Sequence, residues 1–311
     1  MNIKTQSDEA LRKIWVQTRS VMETENIKHK RYSKNQKRHW NLFEILIHIF
    51  AYFLKFSGLY AIGYKNAKKV VVNHLTLEFL NLPEAFDGYT LLHMTDLHLD
   101  GLPGIEEDII EKIKPLSYDL CVLTGDYREA VSGGFKAIVE PFRKIISSIH
   151  TTDGIIATLG NHDSYLMIDY FNSQGVRVLG NEKIRIWKGE ESIEITGIDD
   201  TYYYYTAQAD YIIEQKSDNF KILLTHTPDL YDIAAQNDFD LYLCGHTHGG
   251  QICLPGGHPI ITHVNCRKKY TKGLWKHRNL QGYTSRGCGV VGIPVRLNCR
   301  SEVTLVTLKK I

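Results

Sequence analysis

From about residue 70 onward, short apolar runs alternate with segments whose apolar positions recur every three or four residues. Several short runs are almost continuously apolar, which is typical of strands buried on both faces of a sheet. Eight runs are predicted strands: residues 89–94, 119–124, 154–159, 176–179, 192–198, 221–225, 239–244 and 302–308. Helices are predicted at residues 105–114, 135–149, 165–174 and 228–236. This alternation predicts an α/β sheet domain, to which we assign residues 71–311.

The first 70 residues have a different pattern. Residues 1–40 are basic and polar, and we expect them to be partly disordered. Residues 41–70 contain the most apolar stretch of the chain, 42–63, which two charged residues interrupt. On a helix, the polar groups of this stretch and the residue before it share one narrow face, and Phe, Ile and Leu fill the rest. The residues of the polar face are Asn41, Glu44, His48, Tyr52 and Lys55.

Three interpretations of residues 42–63 remain open. The narrow polar face is typical of an amphipathic helix that lies in the membrane interface. Basic residues on both sides of the stretch favour such a monotopic anchor over a span, because a span normally has a charge bias toward one end. A single membrane-spanning helix and a helix packed on the protein's own domain are the alternatives.

The distribution of charge and the cysteine content indicate where in the cell the protein would lie. Residues 1–70 carry 14 Lys and Arg against 5 Asp and Glu, although the net charge of the whole chain is only +2. This basic head predicts contact with an anionic surface such as a membrane. The six cysteines form no Cys-x-x-Cys pair and are interpreted as reduced, structural thiols of a cytosol-facing protein.

Five predicted strands are each followed at once by residues that can bind metals or transfer protons. These residues are Asp96 and His98, then Asp126, then Asn161, His162 and Asp163, then His226, and finally His246 and His248. Each group alone is weak evidence for a functional site, because an Asp at the end of a strand is often a helix cap. Ligands of open α/β sheets bind at the carboxyl ends of the strands, so we expect the five groups to meet at one edge.

Read in order, the groups form the motifs Asp-x-His, Gly-Asp, Gly-Asn-His-Asp, a single His and Gly-His-x-His. This set resembles the calcineurin-like metallophosphoesterase family over residues 88–308, and the ending GHTHGGQICLPG (245–256) resembles its bacterial membrane-associated branch. The resemblance implies a four-layer α/β/β/α sandwich, here preceded by an N-terminal amphipathic, membrane-associated helix.

The resemblance also implies a site with two divalent metal ions. Asp96, His98 and His248 would bind one ion, Asn161, His226 and His246 would bind the other, and Asp126 would bridge both. His162 would face the scissile phosphate without binding a metal, and Asp163 would orient its ring.

The residue types agree with this assignment on chemical grounds. Nitrogen and oxygen ligands without thiolate suit Mn²⁺, our first choice, or Fe or Zn²⁺, and four imidazoles disfavour Mg²⁺ and Ca²⁺. A carboxylate supplies the anion that two cations about 3.5–4 Å apart need between them. Such cations lower the pKa of water toward about 7, so hydrolysis needs no Ser or Cys nucleophile. His162 would then protonate the leaving oxygen. We therefore expect a metal-dependent phosphoester or pyrophosphate hydrolase.

Two further segments bear on the substrate. Residues 267–278 contain six Lys and Arg, and Arg267, Lys268 and Lys269 are candidate contacts for a second phosphate or a lipid head group. An exposed, solvated loop is the alternative for this segment. Residues 201–205, TYYYY, either line an apolar groove or pack in the core.

The motif Gly160–Asp163 resembles that of the membrane-associated UDP-2,3-diacylglucosamine pyrophosphatases of lipid A synthesis, which release UMP and 2,3-diacylglucosamine 1-phosphate. This resemblance implies a lipid-linked diphosphate substrate at the cytoplasmic face of the inner membrane. One alternative is a general phosphodiesterase or phosphatase acting on a soluble or wall-polymer phosphoester. A non-catalytic scaffold is a second alternative, which the complete ligand set disfavours. No nucleic-acid-binding module is visible, so no nucleic-acid partner is expected.

Overall fold

The computed structural model describes residues 3–4, 9–28, 45, 49–262 and 264–311. The named α-helices are α1 (Glu9–Lys28), α2 (Leu59–Ala67), α3 (Ile105–Ile113), α4 (Lys136–Ser147), α5 (Met167–Ser173), α6 (Ala207–Glu214) and α7 (Tyr231–Gln236). The strands are β1 (Ile3–Lys4), β2 (Val71–Phe79), β3 (Thr90–Met94), β4 (Leu120–Thr124), β5 (Ile155–Thr158), β6 (Val176–Val178), β7 (Glu182–Lys188), β8 (Glu191–Gly197), β9 (Phe220–Leu224), β10 (Leu241–Cys244), β11 (Cys253–Leu254), β12 (His258–Pro259), β13 (Gly273–His277), β14 (Leu280–Thr284) and β15 (Glu302–Lys310).

Two large sheets organise the domain. The six-stranded sheet has the order β2-β15-β3-β4-β5-β6, and the seven-stranded sheet has the order β1-β7-β8-β9-β10-β14-β13. Strands β3, β4, β5 and β6 are mutually parallel, as are β8, β9, β10 and β14. Parallel strands end at a common edge, so the loops that follow them are neighbours.

The sheets pack face to face with helices outside them. Leu91 and Val122 of one sheet and Ile222 and Leu243 of the other belong to the same buried cluster between the sheets. Side chains alternate along a strand, so the next residues, such as Leu92, face outward. On that side α3, α4 and α5 cover the six-stranded sheet, and α6 and α7 cover the other sheet. The arrangement agrees with the predicted four-layer sandwich.

Helix α1 was not predicted from the sequence of the basic, polar segment 1–40. The helix runs from Glu9 to Lys28 within that segment. The side chains of two residues of this helix, Trp15 and Arg19, are almost fully buried. Trp15 belongs to the core cluster on the outer face of the six-stranded sheet, so this part of the basic segment packs as part of the domain.

The predicted helix at residues 42–63 is described only in part. Residues 42–44 and 46–48 lie outside the described residues, whereas 49–56 and α2 are helical. Phe53 and Phe56 are 58% and 91% exposed, and Leu54 is buried. Among the described residues, no helix combines the length and hydropathy that a membrane crossing requires.

Candidate metal centre

Five strand-end loops bring together seven side chains that could hold metal ions. The loops after β3, β4 and β5 supply Asp96, His98, Asp126 and Asn161, and the loops after β9 and β10 supply His226, His246 and His248. Each large sheet therefore contributes part of the site. The five groups converge as predicted, since carboxylate and imidazole atoms from these loops lie within 4.8 Å of one another in groups of three. They do so where the edges of two sheets adjoin, and not at one edge of a single sheet.

The backbone turns sharply at these strand ends. Positive φ angles occur at Asp96 (51°), His98 (38°), Asp126 (57°), His246 (70°) and His248 (50°). A left-handed conformation is uncommon for residues other than glycine and costs about 1–3 kcal/mol each. Such strain persists only where surrounding contacts fix the backbone, and strain of this kind concentrates at functional sites.

Glycines allow the loops to approach one another. A Cβ on Gly160 would lie 2.2 Å from Oδ1 of Asp126, and a Cβ on Gly245 would lie 2.2 Å from Oδ2 of Asp96. Both distances are far below van der Waals contact. Any side chain at Gly160 or Gly245 would therefore displace a candidate ligand.

The first half of the site contains Asp96, His98 and His248. Nε2 of His98 lies 3.1 Å from Nε2 of His248, which in turn lies 3.3 Å from Oδ1 of Asp96. Nδ1 of His98 contacts the carbonyl oxygen of Arg128 at 3.0 Å. An Nδ1–H donated to a carbonyl leaves the Nε2 lone pair for a cation, which is the usual arrangement of a metal-binding histidine.

The second half contains Asp126, His226 and His246. Nε2 of His226 lies 3.1 Å from Oδ2 of Asp126 and 3.2 Å from Nδ1 of His246. Nδ1 of His226 contacts the carbonyl oxygen of Thr124 at 2.8 Å, so this ring is oriented like that of His98. Oδ1 of the neighbouring Asn161 is buried and has no hydrogen-bond partner among the described residues. A buried amide oxygen needs a donor or a cation, and its lack of a protein partner fits the role of a metal ligand.

The electrostatics of the cluster favour bound cations. Burial raises the pKa of Asp96 to about 6 and lowers that of His98 to about 3. Burial also opposes charge on His226, but the carboxylates of Asp126 and Asp96 outweigh it and raise its pKa to about 10. The site thus concentrates carboxylate charge that positive charge must balance, and its nitrogen and oxygen donors suit divalent transition metals.

His162 lies beside the two halves, and a nitrogen of its ring is within 4.8 Å of ligand atoms of His98 and Asp126. Its Nε2 is 3.9 Å from Oδ2 of Asp126, and its backbone N–H donates to Oδ1 of the same carboxylate at 2.9 Å. Nδ1 is hydrogen-bonded to the carbonyl oxygen of Glu129, and Nε of Arg128 donates to the His162 carbonyl at 2.7 Å. Glu129 and Arg128 were missed from the sequence, because their contacts depend on which loops become neighbours.

The prediction that Asp163 orients His162 is wrong. The Asp163 carboxylate accepts backbone N–H donors from Asp126 (2.7 Å), Tyr127 (2.9 Å) and Gly160 (2.7 Å). The carbonyl of Glu129 holds the His162 ring instead. Asp163 therefore joins the loops after β4 and β5, which carry Asp126 and Asn161.

The basic segment 267–278 is only partly a loop. Residues 268–270 form a 3₁₀ turn and Gly273–His277 form β13, in which Trp275 is buried and Lys276 exposed. Thr247, between the two histidines of the site, donates to the carbonyl of Thr271 at 2.6 Å. The segment thus supports the histidine loop. The predicted substrate contacts Arg267, Lys268 and Lys269 are exposed, and their role stays a prediction.

Residues 201–205 were expected either to line an apolar groove or to pack in the core, and the tyrosines differ in this respect. Tyr204 is buried, whereas Tyr202 is 40% exposed and its ring centroid lies 5.5 Å from that of His246. One tyrosine therefore packs in the core and another borders the site.

The fold and the clustered candidate ligands are those of a metal-dependent hydrolase. A family model described as calcineurin-like phosphoesterase matches residues 89–250, and the chain belongs to this family. Members use a dinuclear metal centre, and the chain has the candidate residues to hold one.

Relatives agree with this assignment. The Bacillus subtilis metallophosphoesterase YkoQ is 28% identical over 77% of this chain and 91% of its own length. YkuE of the same organism is 31% identical over 75% and 84%. The Escherichia coli phosphodiesterase YaeI is 29% identical over 71% and 82%. The chain is accordingly a metal-dependent phosphoester hydrolase.

Proposed function

We propose that this phosphoester hydrolase binds two divalent metal ions, one on each side of Asp126. Asp96, His98 and His248 would hold one ion, and Asn161, His226 and His246 would hold the other. The observation that carries this proposal is the position of Asp126, whose Oδ2 lies 3.6 Å from Nε2 of His98 and 3.1 Å from Nε2 of His226. Bound there, the ions would supply Lewis-acid stabilisation of phosphate oxygens and lower the pKa of water.

His162 would donate the proton that the leaving oxygen needs. Its Nδ1 is engaged by the carbonyl of Glu129, so Nε2 is the nitrogen on the side of Asp126. The ring is less buried than those of His98 and His226, as expected for a group that must meet substrate. Asp126 accepts the His162 backbone N–H and so fixes the ring's distance from the metal ligands.

The proposed metal is Mn²⁺, with Fe and Zn²⁺ as alternatives. The ligand set has two carboxylates, one amide and four imidazoles, and no thiolate takes part. Mixed nitrogen and oxygen donors suit these ions better than Mg²⁺ or Ca²⁺.

The proposed place of action is the membrane surface, at the cytoplasmic face of the inner membrane. Large apolar side chains on the helical residues 49–56 and on α2 are exposed: Ile49, Phe50, Phe53, Phe56, Leu59 and Ile62. Lys55, Lys65 and Lys69 are also exposed, so this stretch of chain presents both apolar and basic groups to solvent. Such a surface supports binding to the interface of an anionic bilayer.

Packing connects this apolar surface to the site. A Cβ on Gly63 of α2 would lie 2.7 Å from Cβ of Val295, and the backbone N–H of Arg296 donates to the Gly63 carbonyl at 2.9 Å. The buried Arg296 side chain in turn donates to the carbonyl of His248 at 3.3 Å. A membrane-bound α2 would therefore hold the metal site at a fixed distance from the lipid.

The proposed substrate is a lipid-linked diphosphate such as UDP-2,3-diacylglucosamine, hydrolysed to UMP and 2,3-diacylglucosamine 1-phosphate. The second candidate is a general phosphodiesterase activity on soluble or wall-polymer esters, which the phosphodiesterase name of the relative YaeI favours. The test compares kcat/KM for UDP-2,3-diacylglucosamine in mixed micelles with that for bis-p-nitrophenyl phosphate. Preferential UMP release supports the lipid substrate. Turnover of the generic ester without UMP release supports the second candidate.

A further inference from the structure

Arg19 of α1 is buried beside the loop that carries Asn161 and His162. Its side chain is 0% exposed, and Nη2 donates to the carbonyls of Gly160 at 2.9 Å and Asp163 at 2.8 Å. These two carbonyls flank the Asn161–His162 dipeptide on either side. One guanidinium nitrogen therefore holds the main chain immediately before and immediately after both residues.

Glu23, one turn further along α1, contacts the residues that follow Asp163 in the same loop. Glu23 accepts from Nε of Arg19 at 2.9 Å, from Oγ of Ser164 at 2.8 Å and from the backbone N–H of Tyr165 at 2.7 Å. Positions 15, 19 and 23 recur every four residues and lie on one helical face. This periodicity is visible in the sequence, although the residues that the face would contact are not.

Arg19 also contacts the seven-stranded sheet. Nη1 pairs with Asp199, which follows β8 and also accepts from Nε1 of Trp15 at 2.7 Å. The Arg19 guanidinium lies 3.5 Å from the centre of the Tyr204 ring. A single buried cation thus joins a loop of each sheet.

The Asp199 loop reaches the second half of the metal centre. Asp200, the next residue, accepts the backbone N–H groups of Tyr202 and Tyr203 at 3.1 and 2.8 Å. The Tyr202 ring then lies against His246. Contacts therefore link Arg19 to the main chain around Asn161 directly, and to His246 through the Asp199 loop and Tyr202.

We propose that Arg19 is a positioning residue for this half-site, which α1 completes by holding Asn161 and His162 in place. The inference rests on the proposed two-metal centre. Arg19 touches neither substrate nor metal, because its side chain is fully buried behind the loop. Outer contacts of this kind typically change metal affinity or activity by about 10–100-fold when lost.

Arg19→Lys is the variant that tests this proposal. It retains the positive charge beside Asp199, but an ammonium lacks the planar fork that reaches both carbonyls and Asp199. After equilibrium dialysis against Mn²⁺, we expect bound Mn²⁺ to fall from two ions per chain toward one. With bis-p-nitrophenyl phosphate, kcat should fall by about 10–100-fold, whereas KM should change little.

Arg12→Lys is the matched control on the same helix. Nη1 of Arg12 donates to the carbonyl of Val178 at 2.8 Å and pairs with Glu182, so the same substitution loosens α1 without touching residues 160–163. This variant should keep two ions and a normal kcat. Glu23→Gln is a second test that leaves the buried cation in place, and it should weaken binding of the second Mn²⁺ ion.

The possible outcomes distinguish the role of Arg19 from the existence of the two-metal centre. Arg19→Lys protein that binds two Mn²⁺ ions with unchanged kcat would overturn the inference, even if its Tm is lower. Equal loss of Mn²⁺ in Arg12→Lys would also overturn it, because docking of α1 as a whole would then be the cause. Wild-type protein that binds no divalent metal would refute the two-metal proposal, and the inference with it.

Discussion

The backbone N–H of His246 lies 3.1 and 3.0 Å from the two carboxylate oxygens of Asp96. Asp96 follows β3 of the six-stranded sheet, and His246 follows β10 of the seven-stranded sheet. The contact joins the two sheets at the edge where the candidate ligands meet. The site therefore depends on how the sheets pack, and loops far from the ligands can affect its chemistry.

Replacing His162 should slow turnover in a way that depends on the leaving group. We expect His162→Ala to keep two bound metal ions and to lose about 10²–10⁴-fold in kcat on an alkyl phosphodiester, because general acid catalysis is removed. The loss should be smaller on bis-p-nitrophenyl phosphate, whose leaving group needs little protonation. Steady-state kinetics and metal analysis measure both effects. His258→Ala, at an exposed histidine, is the control. Equal losses on the two substrates would argue against a general acid.

Asp163→Asn should destabilise the fold as well as the site. The carboxylate accepts three buried backbone N–H groups, and hydrogen bonds to charged groups contribute about 1.5–3 kcal/mol each. We expect urea unfolding to report a loss of at least about 1.5 kcal/mol, together with reduced kcat.

Asp119→Asn is the matched control for Asp163→Asn. Asp119 accepts the backbone N–H and the hydroxyl of Thr90, both at 2.8 Å, at the start of β3. Its replacement should lower stability without changing kcat per folded molecule. If Asp163→Asn behaves in the same way, Asp163 does not support the site.

Gly180→Ala should displace α1. A Cβ at this position would lie 1.9 Å from Cε2 of the buried Trp15 ring, so the helix must move. We expect a lower Tm and faster proteolysis within residues 9–28. Gly134→Ala is the control, since a Cβ there has no atom within 4 Å and the backbone needs no positive φ. Unchanged proteolysis in Gly180→Ala would contradict the described docking of α1.

Phe53→Ser combined with Phe56→Ser should weaken binding to anionic vesicles. Burying a Phe side chain in an apolar medium contributes about 1.5–3 kcal/mol, so loss of both should weaken partitioning by at least about tenfold. Sedimentation with vesicles containing anionic lipid measures this effect. Leu80→Ser, at a side chain that is 78% exposed and lies outside residues 49–67, should bind normally. Equal sedimentation of all three proteins would count against the interfacial surface.

The eight strands predicted from sequence all occur in the two sheets, because their apolar runs are buried on both faces. The sequence pattern predicts a basic loop where the structure has strand β13, because Lys272, Lys276 and Arg278 dominate residues 272–278, in which only Trp275 is buried. The candidate ligands could be predicted because each directly follows a strand. The contacts of Arg19 and the partner of His162 could not, because they join segments distant in sequence.

Anomalous diffraction from crystals of the full chain grown with Mn²⁺ tests the two-metal proposal most directly. We predict two anomalous peaks about 3.5–4 Å apart on either side of the Asp126 carboxylate. One peak should lie among Asp96, His98 and His248, and the other among Asn161, His226 and His246. A single ion, or no anomalous density near Asp126 at saturating Mn²⁺, would contradict the account.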